Sequence, residues 1–313
     1  MKKRWIPTLL VFIVTICALL PSALSLPQHG DEAQYGWSSA YYGGKAVRLD
    51  FSLNNRGDYR DPGWIPTARW ALTQPMGTRW VYALTMAATN APAPQLPQSF
   101  SDPALQGPDA YLVPYSLLML RFAAILCAAL GLAFIAWRYS PYGVVACLAF
   151  LFIPHVRDDL ARAWAEGPLL LGLGLCALSY GTRWFAPLCG IASTFKLTAL
   201  GLWPIAIWHG FGKGRFRHLF GFLSTVIVWS ILTPPSWFVG GPPYVLMMLL
   251  HRSEIYASQS ANEANLFGLF LPTRYFWPAE LAILLSACWL LMQRYQAVRT
   301  KKPTITESSA YSD

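Results

Sequence analysis

Residues 5–26 read WIPTLLVFIVTICALLPSALSL and contain no charged side chain. About 20 consecutive apolar residues make a helix of about 30 Å, the thickness of a bilayer's hydrocarbon core. The basic start MKKR and the small residues of PSALS also suit a secretory signal peptide. The apolar part is long for that role, so an uncleaved membrane anchor is expected. Directly beyond it comes PQHGDEAQYGW (27–37), where His29, Asp31 and Glu32 stand at the membrane exit with Tyr35 and Trp37 close behind. Adjacent carboxylates at such a depth are costly unless water, a cation or a substrate accompanies them.

The rest of the chain extends the membrane pattern. Of its 313 residues 55% are hydrophobic and 12% charged, whereas soluble domains carry about 25% charged residues. Further apolar windows fall near 112–137, 141–155, 166–181, 184–195, 197–209, 217–234 and 276–293. The expected fold is an all-α polytopic helix bundle of about seven or eight spans. It forms one membrane module over 1–295, with exterior loops at 27–111 and 235–275 and a disordered cytoplasmic tail at 296–313. Threading from a cytoplasmic N-terminus puts MKKR, Arg138, Arg183, GKGRFRH (212–218) and QRYQAVRTKK (293–302) inside. Those segments hold 12 of the 24 Lys and Arg but, with the tail, only Glu307 and Asp313 of the 15 acids. Such a bias sets orientation, so the net charge of +9 is a topology signal and marks no nucleic-acid stripe. The six cysteines all lie in apolar windows without a CxxC; buried apolar thiols are expected, with no disulfide framework.

Within the first exterior loop, TRWVYALTMAA (78–88) is amphipathic and flanked by turn-rich DPGW, TQPMG and NAPAPQLPQ. It is expected to form a short helix at the interface. Two short windows make a hairpin, CGIASTFKLTALGLWP (189–204), with Lys196 in its turn. Irregular turns at membrane depth are tolerated where they are buried in protein or line a cavity.

This threading sends the unusual polar groups to the exterior side. In PHVRDDLARAWAE (154–166), Asp158, Arg162 and Glu166 recur every fourth residue, the spacing of an ion-pair ladder on one helix face. Arg157 lies off that face and is freer to meet an anion. Lys196, with no acid near it in sequence, either snorkels to the interface or holds a phosphate as a point charge. Arg121, inside the second window, is expected to be the buried partner of an acid. Asp31 and Glu32 are either solvated capping groups or a catalytic base whose proton affinity is raised by its neighbour. His29, Asp31, Glu32 and His251 could supply ligands to a divalent cation, but no HExxH or comparable spacing is present. There is no P-loop, nucleophile elbow or GxGxxG.

Taken in order, DEAQYGW (31–37), TQPMGTRWVYAL (73–84), RDDLARAWAEGPLLLGLGL (157–175), CGIASTFKLTAL (189–200) and, weakly, ANLFGLF (264–270) resemble the membrane glycosyltransferases of the GT-C type. The nearest likeness is to protein O-mannosyltransferases and bacterial lipid A aminoarabinose transferases, in a shortened form, over residues 5–235. Gln74, Pro75, Met76 and Gly77 stand where that family has His-Pro-Pro-Leu. The resemblance implies a polyprenyl-phosphate sugar donor, inversion at the anomeric carbon and extracytoplasmic chemistry, in a bacterial inner membrane. It implies Asp31 as base, with Glu32 as second choice or positioning group, and Lys196, Arg157 and Arg162 at the donor phosphate. His29, Tyr35, Glu166, His251 and Arg252 are further candidates around that site. The acceptor is a protein, lipid or glycan, and no nucleic acid is involved. A non-catalytic subunit of a larger membrane complex is the alternative. A lipid or sugar transporter fits less well, because only one discontinuous hairpin is found and no inverted counterpart.

Overall fold

A computed structural model describes residues 4–29, 32, 35, 36, 39, 76–92, 112–212 and 214–233. The chain divides into two compact units, Met1–Val245 and Leu246–Asp313, and every described residue belongs to the first. Asp31, His251 and Arg252, the loop 235–275, the stretch ANLFGLF and the tail 296–313 therefore lie outside the described residues.

The described part is helical throughout, without strands: α1 (Trp5–Ser25), α2 (Gly77–Thr89), α3 (Pro114–Tyr139), α4 (Tyr142–Leu151), α5 (Pro154–Ala161), α6 (Glu166–Ser179) and α7 (Phe185–Phe195). A 3-10 segment, Leu197–Leu202, then leads into α8 (Trp203–His209), and α9 (Arg217–Leu232) follows. Two of these, α1 and α3, are long and apolar enough to cross a membrane; α4, α6, α7 and α9 are shorter apolar helices. Their outward faces carry large apolar side chains such as Leu9, Phe122, Val145 and Ile231, the kind of exposed apolar surface that marks contact with a membrane or another protein.

Contacts fix the directions of the helices. The ring of Trp5 meets Trp137 at 5.0 Å, while Arg121 reaches the carbonyls of Ala23 and Leu26 at 2.7 and 2.8 Å, so α1 and α3 run antiparallel. Alongside α3, α6 runs parallel at backbone contact. A Cβ added to Gly131 would sit 2.2 Å from the Leu170 carbonyl oxygen, and one on Gly167 would sit 2.4 Å from that of Ala124. Small residues at these crossings are what allow such an approach. Returning along α6, α7 sets Cys189 Sγ 3.8 Å from Cys176 Sγ. The described cysteines are all free; Cys127, Cys147, Cys176 and Cys189 are buried, whereas Cys17 is exposed on α1.

Chain punctuation explains the breaks. Ile153 is extended (φ −79°, ψ 113°) and precedes Pro154, which opens α5, as the clash of a residue with a following proline requires. Beyond α5 the backbone leaves the helix at Arg162 (φ −83°, ψ 154°) and resumes at Glu166. The expected ladder on one helix face is thereby corrected: Asp158, Arg162 and Glu166 belong to two helices and the turn between them. Pro168 supplies the reason. In the first turn of α6 its missing N–H costs nothing, but in one continuous helix it would lose a hydrogen bond and clash with the carbonyl four residues back.

The architecture has two chemically distinct ends. One, the acidic end, gathers the C-terminus of α1, the N-termini of α3 and α6, the hairpin turn at Lys196 and the transverse helix α2. Trp80 Nε1 of α2 donates to the Leu232 carbonyl at 3.1 Å, and Thr78 Oγ1 to that of Phe195 at 2.8 Å. Of the acids among the described residues, every one (Glu32, Asp158, Asp159 and Glu166) lies here. The opposite, arginine end holds the start of α1, the end of α3, the α6–α7 turn and the α8–α9 loop.

Candidate functional site

Glu32 and Arg121 anchor the acidic end. Glu32 is wholly buried. Arg121 meets it in a bidentate fork, Nε to Oε1 at 2.8 Å and Nη2 to Oε2 at 2.7 Å. The remaining guanidinium donors go to the carbonyls of Ala23, Leu26 and Pro27 at 2.7, 2.8 and 3.1 Å. These lie at the C-terminal end of α1 and just beyond it, where helical carbonyls lack partners and positive charge is favoured. Glu32 also accepts from the backbone N–H groups of Ala163 and His29, each at 2.9 Å, with Arg162 Nη1 3.6 Å away. Burial pushes its proton affinity up, but the Arg121 hydrogen bond and the two amide donors outweigh it and hold the carboxyl below its ordinary value. With both oxygens engaged and no proton affinity near neutrality, Glu32 is placed to position the exit of α1 against α3 and the 162–165 turn.

Arg121 is the buried partner of an acid that its position in an apolar window implies. Lys196, isolated in sequence, is not isolated in space: its ammonium pairs with Glu166 across 30 residues. Both side chains stay partly open to solvent, at 38% and 27%, so the pair contributes about 0–1 kcal/mol and can yield to a competing anion. The residue caps α7 in an extended conformation (φ −154°, ψ 139°). That is the irregular hairpin turn anticipated from the sequence.

The 162–165 turn links the two ion pairs. Tyr82 of α2 donates its hydroxyl to the Trp164 carbonyl. The Trp164 ring carries the His29 imidazole edge-on at 5.1 Å and the Arg162 guanidinium at 5.4 Å. Arg162 Nη1 donates to the Pro27 carbonyl at 3.0 Å, and Tyr35 packs edge-on to Tyr82 at 6.2 Å. Arg157, on α5, has no acidic partner within 4 Å among the described residues. Its Nε is buried without a hydrogen-bond acceptor, as are Trp164 Nε1 and Gln28 Nε2. Three unmet donors at one end of a bundle suit an acceptor-rich ligand.

Two residues went unassigned by sequence reasoning. Asp159 is half-buried, and its carboxyl rises to about 6. Burial is the main cause and the Glu166 charge the second, opposed by Lys196, Arg162 and His155. Its signal was the DD doublet beside a later glutamate, but only the fold brings Glu166 and Lys196 near it. Arg79 is the other: it is buried in α2, with Nη1 3.2 Å from Met76 Sδ. Among the described residues no set of three His, Cys, Asp or Glu side chains is arranged to hold a metal ion. Comparison with protein-family models, curated proteins and solved structures finds no match for this chain.

Proposed function

We propose that the chain is an inverting membrane glycosyltransferase that moves a sugar from a polyprenyl-phosphate carrier to an acceptor hydroxyl. In this reading α1, α3, α4, α6, α7, the 3-10 segment with α8, and α9 cross the bilayer in turn, while α5 and the acidic end lie on the extracytoplasmic side. The observation that carries it is the meeting, at one end, of Lys196 from the hairpin, Asp159 from α5, Glu166 from the start of α6, and Glu32 from the exit of α1. The unmet donors of Arg157 and Trp164 add to it.

The step follows from those groups. Asp31 takes the proton of the acceptor hydroxyl as its oxygen attacks the anomeric carbon. The bond from that carbon to the phosphate oxygen breaks, and its electron pair leaves with the polyprenyl phosphate. Arg157, Arg162 and Lys196 stabilise the charge that builds on the leaving group, Lys196 exchanging Glu166 for the phosphate. Glu32, tied to Arg121, fixes the exit of α1. The test is transfer from radiolabelled polyprenyl-phosphate sugars by the purified chain. Loss of a general base lowers rates by about 10²–10⁴-fold, so Asp31→Asn is expected to fall in that range and Lys196→Ala to lose most transfer. Wild-type rates in Asp31→Asn, Arg157→Gln and Lys196→Ala together refute the assignment.

One observation favours a second reading, a non-catalytic subunit of a larger membrane complex: Glu32 and Lys196 already hold opposite charges as partners. Co-purification with stoichiometric partners and no bound lipid-linked sugar would support it.

A further inference from the structure

The end opposite the proposed chemistry has a composition of its own. Arg4, Arg138, Arg183, Arg215 and Arg217 lie there, and no acid does among the described residues. Three of these guanidinium groups lie over the aromatic ring that follows them in sequence: Arg138 over Tyr139 at 5.7 Å, Arg183 over Trp184 at 5.2 Å and Arg215 over Phe216 at 4.6 Å. The same end exposes large aromatic surfaces, with Tyr142 at 82%, Trp208 at 70%, Trp5 at 66% and Trp184 at 57%.

These groups form one continuous patch. Arg138 Nη2 donates to the Tyr180 carbonyl at 3.3 Å, which joins the end of α3 to the α6–α7 turn. The His209 ring packs against Tyr180 and Phe185 at 5.8 and 5.3 Å, and so joins that turn to the α8–α9 loop. Within the loop, the Phe211 amide donates to the Arg217 carbonyl at 2.8 Å. Both helices long enough to cross a membrane reach the patch, α1 at Trp5 and α3 at Tyr139.

We infer that the arginine end is a docking surface for anionic phospholipid headgroups. Charge chooses the occupant: guanidinium groups with no acid near them among the described residues attract phosphate and bind it bidentately. Position chooses its source, because the patch lies where the two longest apolar helices end, the depth at which headgroups and amphipathic aromatic rings meet. Stacking holds three of the guanidinium groups beside the aromatic surface that would lie among the headgroups. The inference does not rest on the glycosyltransferase reading, and it concerns the other end of the bundle.

The test reconstitutes the full chain in nanodiscs of phosphatidylcholine with or without phosphatidylglycerol. Native mass spectrometry then reads which lipid stays bound after extraction. Wild type is expected to retain phosphatidylglycerol in preference, and added salt weakens that preference through screening. A basic residue near an anionic surface is worth about fivefold in binding. Arg183→Gln alone should therefore lower the retention ratio about fivefold, and adding Arg215→Gln and Arg217→Gln should lower it further. The corresponding lysine variants, which keep the charge, should preserve most of it. Should the triple variant not fold, the exposed single Arg183→Gln and the wild-type salt series still decide. Equal retention of the two lipids by wild type, or an unchanged ratio in Arg183→Gln, overturns the inference.

Discussion

Separating Glu32 from Arg121 is the perturbation whose size the structure fixes best. Both side chains are almost wholly removed from solvent, so removing one leaves the other as an uncompensated buried charge, at about 3–5 kcal/mol. Glu32→Gln is expected to approach that range despite its similar shape. Its amide would turn an N–H₂ toward Arg121, His29 N–H or Ala163 N–H, each already a donor. Replacing a buried pair by apolar residues is often neutral, but here Arg121 also serves three carbonyls at the end of α1. Glu32 likewise accepts from the His29 and Ala163 amides, so at about 1 kcal/mol for each of these lost bonds Glu32→Leu with Arg121→Met should remain about 4–5 kcal/mol less stable than wild type. SDS titration of the detergent-solubilised chain measures the four corners of the cycle, with the buried Cys127 and Cys147 thiols as maleimide-reactive probes of unfolding. The Glu32 carboxyl is held below its ordinary value, so its contribution is complete above the usual carboxylate range and disappears as pH falls through it. Single-variant losses below about 1 kcal/mol, or losses that add without coupling, would refute the structural role.

Asp159 has the opposite sign. Its carboxyl, raised to about 6, binds a proton more readily in the folded chain than in the unfolded one. Stability is therefore lost as pH rises from about 4 toward 6. Asp159→Asn should stabilise the chain at pH 7 by about 1 kcal/mol, after discounting for solvent screening, and confer no gain at pH 4; unfolding titrations at both pH values decide. For Gly131→Ala, helix propensity alone would add about 1 kcal/mol of stability. Because its Cβ would meet the Leu170 backbone at 2.2 Å, overpacking of about 1–3 kcal/mol should reverse the sign, whereas Gly201→Ala, facing open space, should not destabilise. Thermal midpoints of the two variants test this.

What the sequence revealed and what it concealed divide along physical lines. Apolar windows, prolines and turn residues act locally, and the helices follow them closely: 5–26 became Trp5–Ser25, 184–195 became Phe185–Phe195, and 78–88 became Gly77–Thr89. The hairpin lysine and the buried arginine were visible because a charge in an apolar stretch requires an explanation. Partner choice was not visible. Lys196 finds Glu166 and Arg121 finds Glu32 through the packing of helices that are distant in sequence, and no spacing rule carries that. The false ladder has the same origin. A fourfold spacing predicts one helix face, and Pro168 close by breaks it.

The two ends explain each other. Under the proposed reading, a bundle whose described acids lie at one end and whose arginines at the other have no acid near them among the described residues would favour one orientation across a bilayer whose cytoplasmic leaflet is negative. That orientation carries Lys196, Asp159 and Arg157 away from the anionic leaflet, to the side where a lipid-borne phosphate would be the strongest anion in reach. In the proposed reading Arg157, which has no acidic partner among the described residues, would meet that phosphate, and the partly exposed Glu166 would hold Lys196 in its absence. Protein charges at the acidic end are satisfied firmly where they build the fold, at Glu32 and Arg121, and loosely where a ligand would enter. The difference is measurable. Glu166→Gln should change stability by less than about 1 kcal/mol, whereas Glu32→Gln should cost several times that, and equal losses would erase the distinction between scaffold and site.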